Sequence, residues 1–187
     1  MSIKYNYYRI IFFAVCCFLA PVVAVLAQNV PDPVKIAVLD FELNDLTLDP
    51  RTPEEVERTA MIKPLLTQEL AQQPGYRIVE IDPSVQNRAN KGFGYLFQHA
   101  DAAAELGRGA GADWIVVGRV HKASFLFVYL KVHLINSSIN SNNDSNNKQL
   151  GEELVVEVKG PQKRLTIRGV ESLAEQIVKA IESSGQT

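Results

Sequence analysis

Residues 34–43 read VKIAVLDFEL, and residues 114–135 read WIVVGRVHKASFLFVYLKVHLI. The first stretch is almost continuously apolar from Ile36 to Leu39, the pattern of a strand buried on both faces in the middle of a sheet. The second divides at Ala123-Ser124, a short turn, into a third strand, Trp114 to Lys122, and a long fourth one, Phe125 to Ile135. Tyr76 to Ile81 (YRIVEI), launched by Pro74-Gly75, supplies the second strand. LGEELVVEVK, Leu150 to Lys159, supplies the fifth.

Helices fall between them. Thr52-Pro53-Glu54-Glu55 is a helix start: a hydroxyl cap, proline at the first helical position, and acids at the positive end of the dipole. That helix runs to about Gln73 with Val56, Ala60, Leu66 and Leu70 as its apolar stripe, and Pro64 is expected to kink or split it. A Gly-aromatic stretch, KGFGYLF at 91–97, leads into the Ala-rich helix around Ala102–Leu106, which Gly107 to Gly111 stop. Near the end, Val170, Leu173, Ala174, Ile177 and Ile181 form one stripe of a helix over Ile167–Glu182 that docks on the sheet. The order is β-α-β-α-β-β-β-α. The fold class is therefore α/β, with a mixed sheet of about five strands, its opening strands parallel and its closing strands antiparallel.

Outside this frame lies a leader. Lys4 and Arg9 precede Ile10–Ala27, which carries no charge, and the run ends Val25-Leu26-Ala27 before Gln28. A basic start, an apolar segment and small residues at −3 and −1 are the layout of a cleaved signal peptide over 1–27, leaving one domain over 28–187 in the periplasm. An uncleaved anchor is the alternative, since the run is near the shortest span of a bilayer. Both cysteines, Cys16 and Cys17, lie in the leader, so the mature chain holds no thiol for a disulfide, a metal or a nucleophile. NSSINSNNDSNN at 136–147 has Ile139 as its sole apolar residue, and 136–148 reads as a mobile hairpin loop with two glycosylation-like triplets.

The chemistry is sparse. The whole chain has 19 Lys+Arg against 21 Asp+Glu, a formal charge of −2, which argues against nucleic acid as a partner. The glycines at 107–111 follow a helix instead of opening one, and the turn after the first strand, DFELND, has none, so a phosphate loop or dinucleotide fold is not indicated. His99, His121 and His133 lack metal-ligand spacing. No cofactor is expected, and no nucleophile motif marks the chain as an enzyme.

Two candidates remain. Asp40, Glu42 and Asp45 cluster at the C-terminal end of the first strand, where open α/β sheets gather ligands. They would serve a small-ligand receptor or a hydrolase, or simply be solvated and capping. On the fourth strand, Leu126, Val128, Leu130, Val132 and Leu134 make an aliphatic core face. Phe125, Phe127, Tyr129, Lys131, His133 and Ile135 make the other face. Lys131 or His133 can pair across the hairpin with Glu153 or Glu157. Either a helix covers these aromatics or they dock a protein partner, aromatics within a charged rim being suited to interfaces.

The order Asp40-Phe41, Leu65-Leu66-Leu70, Gly111-Ala112-Asp113 with Gly118, then the hairpin from Phe125, resembles a family of predicted secreted bacterial proteins known only as a domain of unknown function. The likeness runs from about Val34 to Ile181. More distantly the plan is similar to the periplasmic α/β domains of the TolB amino-terminal, CsgG and LpoB type. The resemblance implies a fold and a compartment but no activity. Many members of the closer family carry a cysteine pair before the second helix, where this chain has Phe93-Gly94-Tyr95-Leu96-Phe97, so no redox role of that pair carries over. Together these readings point to a non-catalytic accessory module that docks another cell-envelope protein, through the aromatic face of the fourth strand or the acidic edge after the first.

Overall fold

A computed structural model describes residues 32–47, 49–139, 151–160 and 162–185. The leader, Cys16 and Cys17 included, lies outside the described residues, as does most of the 136–148 loop with its Asn143-Asp144-Ser145 triplet. Pro33–Thr187 forms a compact unit by itself. Among the described residues no helix is long and apolar enough to cross a membrane.

The strands are β1 (Val34–Val38), β2 (Glu42–Asp45), β3 (Tyr76–Val79), β4 (Trp114–Lys122), β5 (Phe127–Asn136) and β6 (Gly151–Lys159). The helices are α1 (Pro53–Ala60), α2 (Ile62–Ala71), α3 (Pro83–Ala89), α4 (Tyr95–Gln98), α5 (Ala100–Gly109) and α6 (Lys163–Ser184). The sheet runs β3-β1-β4-β5-β6, with β2 also paired to β4. Contacts among β3, β1, β2 and β4 are parallel, and those of β4-β5-β6 antiparallel. The expected mixed α/β sheet is thus present, with six strands instead of about five.

The extra strand arises from a break in the first one. Val38 lies opposite Val116 and Glu42 opposite Arg119, so four steps along β1–β2 match three along β4. This is the one-residue excess of a bulge, which reverses the side to which later residues point. Ile36 and Val38 therefore share a core with Phe41 and Leu43, instead of with Asp40 and Glu42. The backbone released from the ladder is not orphaned: Asp40 N–H donates to Gln86 Oε1 (3.0 Å), and Gln86 Nε2 donates back to Asp40 O (3.4 Å).

Two apolar layers sandwich the sheet. One packs Ile62, Leu66 and Leu70 of α2 and Val170, Leu173, Ala174, Ile177 and Ile181 of α6 against Val128, Leu130, Val132 and Leu134. The other packs Leu96, Ala103, Ala104 and Leu106 against Ala37, Leu39, Ile115, Val117 and Ile135. Both cores are assembled from residues of the compact unit.

Local signals act as their chemistry dictates. Thr52 and Glu55 form a reciprocal capping box on α1. The expected split near Pro64 comes earlier, at Met61. Pro64 sits in the first turn of α2, where its missing N–H has no intrahelical partner to lose. That break corrects the expected stripe: Val56 and Ala60 face solvent, while Arg58 and Thr59 are buried. Asp82-Pro83-Ser84 repeats the cap-proline signature, Asp82 Oδ1 accepting from Ser84 N at 2.7 Å, and opens α3, a helix the sequence reading passed over.

Candidate functional site

The layer of short helices covers only part of its sheet face. Ile115, Val117 and Ile135 lie under it. Further along the same strands, that side is occupied by Arg119 and His121 of β4, Tyr129, Lys131 and His133 of β5, and Glu153, Val155 and Glu157 of β6. Tyr129 lies between His121 and Glu157, Lys131 between Arg119 and Val155, and His133 between Val117 and Glu153. Antiparallel pairing thus gathers residues from three strands into one patch.

The aromatic loop closes the covered end of the patch. Phe97 of α4 stacks on His133, with ring centroids 4.1 Å apart. The Arg119 guanidinium lies 4.4 Å from the Phe97 ring and 5.2 Å from the Phe93 ring, a cation held between two π faces. Beneath it, Arg119 Nη2 is 3.6 Å from Glu42 Oε2. Glu42 also accepts from Gly94 N (2.7 Å) and Asn90 Nδ2 (3.0 Å). Gly94 has φ 76°, and a Cβ there would meet Arg119 Nη2 at 2.2 Å, so the loop needs glycine at this point.

The far end stays open. Phe127 is 40% exposed and Val155 45% exposed, while Tyr129, Lys131 and His121 are half-buried. Asn44 Nδ2 lies 3.1 Å from His121 Nδ1, and Lys131 lies 4.0 Å from Glu153. Burial lowers the pKa of His133, with Arg119 and Lys131 adding to the effect and Glu153 opposing it. Burial and the same two cations lower that of His121. Both imidazoles are thereby held toward the neutral form. A cleft of about 560 Å³ lies instead at the covered end, lined by Phe97, His99, Asp101, Arg119, His133 and Glu153. A larger concavity, about 750 Å³, lies between α3 and α5, with Val85 at its edge and Glu80, Arg88, Lys91 and Glu105 around it.

The two candidate groups fare differently. Phe127, Tyr129, Lys131 and His133 do share one face, His133 beneath a helix and Phe127 in the open. Phe125 and Leu126 belong to the turn before β5 and not to the strand. Leu126, expected in the core, is 67% exposed. The bulge parts Asp40 from Glu42, and strand alternation puts Asp45 on the opposite face from Glu42. Asp40 pairs with Lys63 at 3.1 Å, Glu42 with Arg119, and Asp45 with Lys122 at 3.0 Å. Each carboxylate is matched to its own cation, so they do not converge as an acid–base or ligand-binding set. Among the described residues no three His, Cys, Asp or Glu side chains lie close enough to hold a metal ion. The Phe93–Arg119–Phe97 stack was missed; its signal was aromatics at spacing four around glycine, set before a helix.

Comparisons with known proteins follow the architecture. Similar solved structures include PelC from Paraburkholderia phytofirmans, a dodecamer (13% identity, 78% of this chain and 89% of that one, TM-score 0.48). The LpoB C-terminal domain from Salmonella enterica is another (12% identity, 73% and 90%, TM-score 0.42). A third is the lipoprotein GNA1162 from Neisseria meningitidis (16% identity, 78% and 97%, TM-score 0.46). At these identities the likeness is one of general fold, and the LpoB-type resemblance read from the sequence is among them. No curated protein sequence matches the chain. A family model described as "Protein of unknown function (DUF2380)", DUF3280, matches residues 34–178, and the chain belongs to that family.

Proposed function

We propose that this domain is an exported, non-catalytic binding module that docks a cell-envelope protein on the open part of its β4–β5–β6 face. The observation that carries the reading is the uncovered sheet surface around Phe127, Tyr129 and Val155, ringed by Lys131, Glu157 and Lys159. Apolar and aromatic groups inside a charged rim exclude water at the centre and fix register at the edge. The cover extends over Arg119 and His133 through Phe93 and Phe97 and leaves Tyr129, Phe127 and Val155 outside it. The basic-then-apolar leader supports export to the compartment in which such a partner would be met.

The test is a capture from envelope extract with the purified domain, followed by reconstitution with the identified protein. Val155→Asp places a charge at the centre of the patch and should weaken the reconstituted complex by tenfold or more, while leaving the thermal melt unchanged. Val85→Asp, in the α3–α5 groove, should leave binding intact. A complex indifferent to Val155→Asp, or lost with Val85→Asp, refutes this face as the docking surface.

A further inference from the structure

The β4–β5 turn presents three successive large apolar side chains to solvent: Phe125 at 63%, Leu126 at 67% and Phe127. Exposed Leu46 joins them at the same end of the sheet, its N–H bonded to Lys122 O at 3.0 Å. This is a convex tip, and most of its backbone N–H groups are bonded within the turn. Ala123 N and Ser124 N donate to Phe127 O, Leu126 N and Phe127 N donate to Ser124 Oγ, and Leu126 O accepts from Gly160 N. With four of the five N–H groups from Ala123 to Phe127 already bonded and that of Phe125 left at the apex, the segment can approach the headgroup layer at a reduced cost in unsatisfied donors, the cost that otherwise keeps irregular backbone out of hydrocarbon.

The surroundings carry the opposite sign to the chain as a whole. Lys159 lies opposite Phe127 in the β5–β6 register and is exposed, with Glu157 3.7 Å away as its partner. Just past Gly160, which is bonded to Leu126, α6 begins with exposed Lys163 and Arg164, the latter donating to Gln162 Oε1. The nearest buried carboxylates, Asp45 and Glu55, are matched by Lys122, whose Nζ sits 5.5 Å from the Phe125 ring centroid. Apolar side chains at an apex with cations set back behind them match the layering of an anionic bilayer, acyl chains below and phosphates above.

We infer that the Phe125–Leu126–Phe127 tip is a membrane-docking element that inserts into the surface of a bilayer containing anionic phospholipid, with Lys159, Lys163 and Arg164 at the headgroups. This site adjoins the sheet face proposed above and shares Phe127 and Lys159 with it; it is read through Leu126, Lys163 and Arg164, which are not part of that face, and stands whether or not that face binds a protein.

The experiment uses the chain from Gln28, which retains the compact unit with both cores and lacks the apolar leader that would partition by itself. It is mixed with vesicles of phosphatidylcholine with or without phosphatidylglycerol, and binding is read by co-sedimentation. The expected result is binding to the anionic vesicles, with a blue shift of tryptophan emission in Phe125→Trp. Leu126→Asp should weaken binding by at least about tenfold, and Lys163→Gln with Arg164→Gln by about fivefold per charge removed. Circular dichroism checks that Leu126→Asp folds; if it does not, Phe125→Ser takes its place. Absence of binding, binding unaffected by either tip substitution, or equal binding to neutral vesicles overturns the inference. So does a self-association that Leu126→Asp abolishes in a protein indifferent to lipid, which would make the tip a contact between copies.

Discussion

Replacing Lys122 by methionine tests how the sheet is pinned to α1. Lys122 lies at the end of β4, nearly fully buried, with its Nζ 3.0 Å from Asp45 Oδ2 on β2 and in contact with Glu55 Oε1 on α1. Two carboxylates converge on this single cation, and the methionine chain fills its volume without its charge. Breaking a buried pair costs about 3–5 kcal/mol, chiefly because the remaining charge is left unmatched. Here Asp45 keeps the Thr47 N–H and hydroxyl donors and Glu55 keeps Thr52 N–H, so about 3 kcal/mol is expected. For a domain of this size that lowers Tm by about 6–12 °C.

The pH dependence supplies the sign. Burial pushes the Asp45 and Glu55 carboxyls up. The Thr47 hydrogen bonds and Lys122 outweigh it for Asp45, and Lys122 with Thr52 for Glu55, so both titrate below their ordinary values. Their contribution is therefore present above the ordinary carboxylate range, about pH 4, and is lost as pH falls through the depressed values. Burial pushes Lys122 down, but the two carboxylates raise it overall, so its contribution holds below the ordinary lysine range and is lost only as pH rises past it. The deficit of Lys122→Met against the native chain should thus be largest near neutrality and shrink as pH falls through the carboxylate range. Urea unfolding followed by circular dichroism at pH 7 and near pH 4 measures both quantities. Adding Asp45→Asn and Glu55→Gln should recover most of the loss. A deficit under about 1 kcal/mol at pH 7, or one that does not change with pH, refutes the reasoning.

Two further outcomes are expected. Gly118→Ala would set a Cβ 2.2 to 2.4 Å from three atoms of the Phe41 ring, so it should cost about 1–3 kcal/mol in urea unfolding, partly recovered with Phe41→Leu; a neutral effect would show that the ring does not lie on the strand. His133 is depressed by burial, so its neutral form contributes stability above the ordinary imidazole range, lost as pH falls through its lowered value; a ring-proton titration by NMR should give a midpoint below that of an exposed histidine, and a midpoint at or above it would refute the burial argument.

Much of the fold was written at short range. Alternating and continuous apolar runs placed the strands, and the stripe from Val170 to Ile181 is buried residue for residue. Those signals work because each reports one face of one element. The errors come where one residue changes a phase. Met61 separates α1 from α2, so the stripe that begins correctly at Leu66 and Leu70 does not extend back to Val56. Phe125 and Leu126 fit the alternation of β5 well, but Ser124 Oγ accepts from Leu126 N and Phe127 N and holds them in the turn. No periodicity reports such a bond, since it competes locally with the strand ladder.

The bulge at Leu39–Phe41 shows why the site was harder to see than the fold. In an unbroken strand Asp40 and Glu42 would point the same way, and an acidic edge would follow from sequence spacing. The added residue sends Glu42 to the face where Arg119 waits, seventy-seven positions on in the β2–β4 register, and leaves Asp40 to Lys63. The bulge in turn depends on Gln86, whose amide answers both backbone groups of Asp40 from a helix the sequence reading did not place. Fixing Glu42 under Arg119 then lets Phe93 and Phe97 close on the guanidinium and end the helical cover. What stays open on the sheet is thus set by one extra residue in the first strand and one glutamine that compensates it. Gln86→Ala, which removes both bonds, should therefore loosen the aromatic loop as well as the bulge, seen as faster amide exchange at Gly94, whose N–H is held by Glu42.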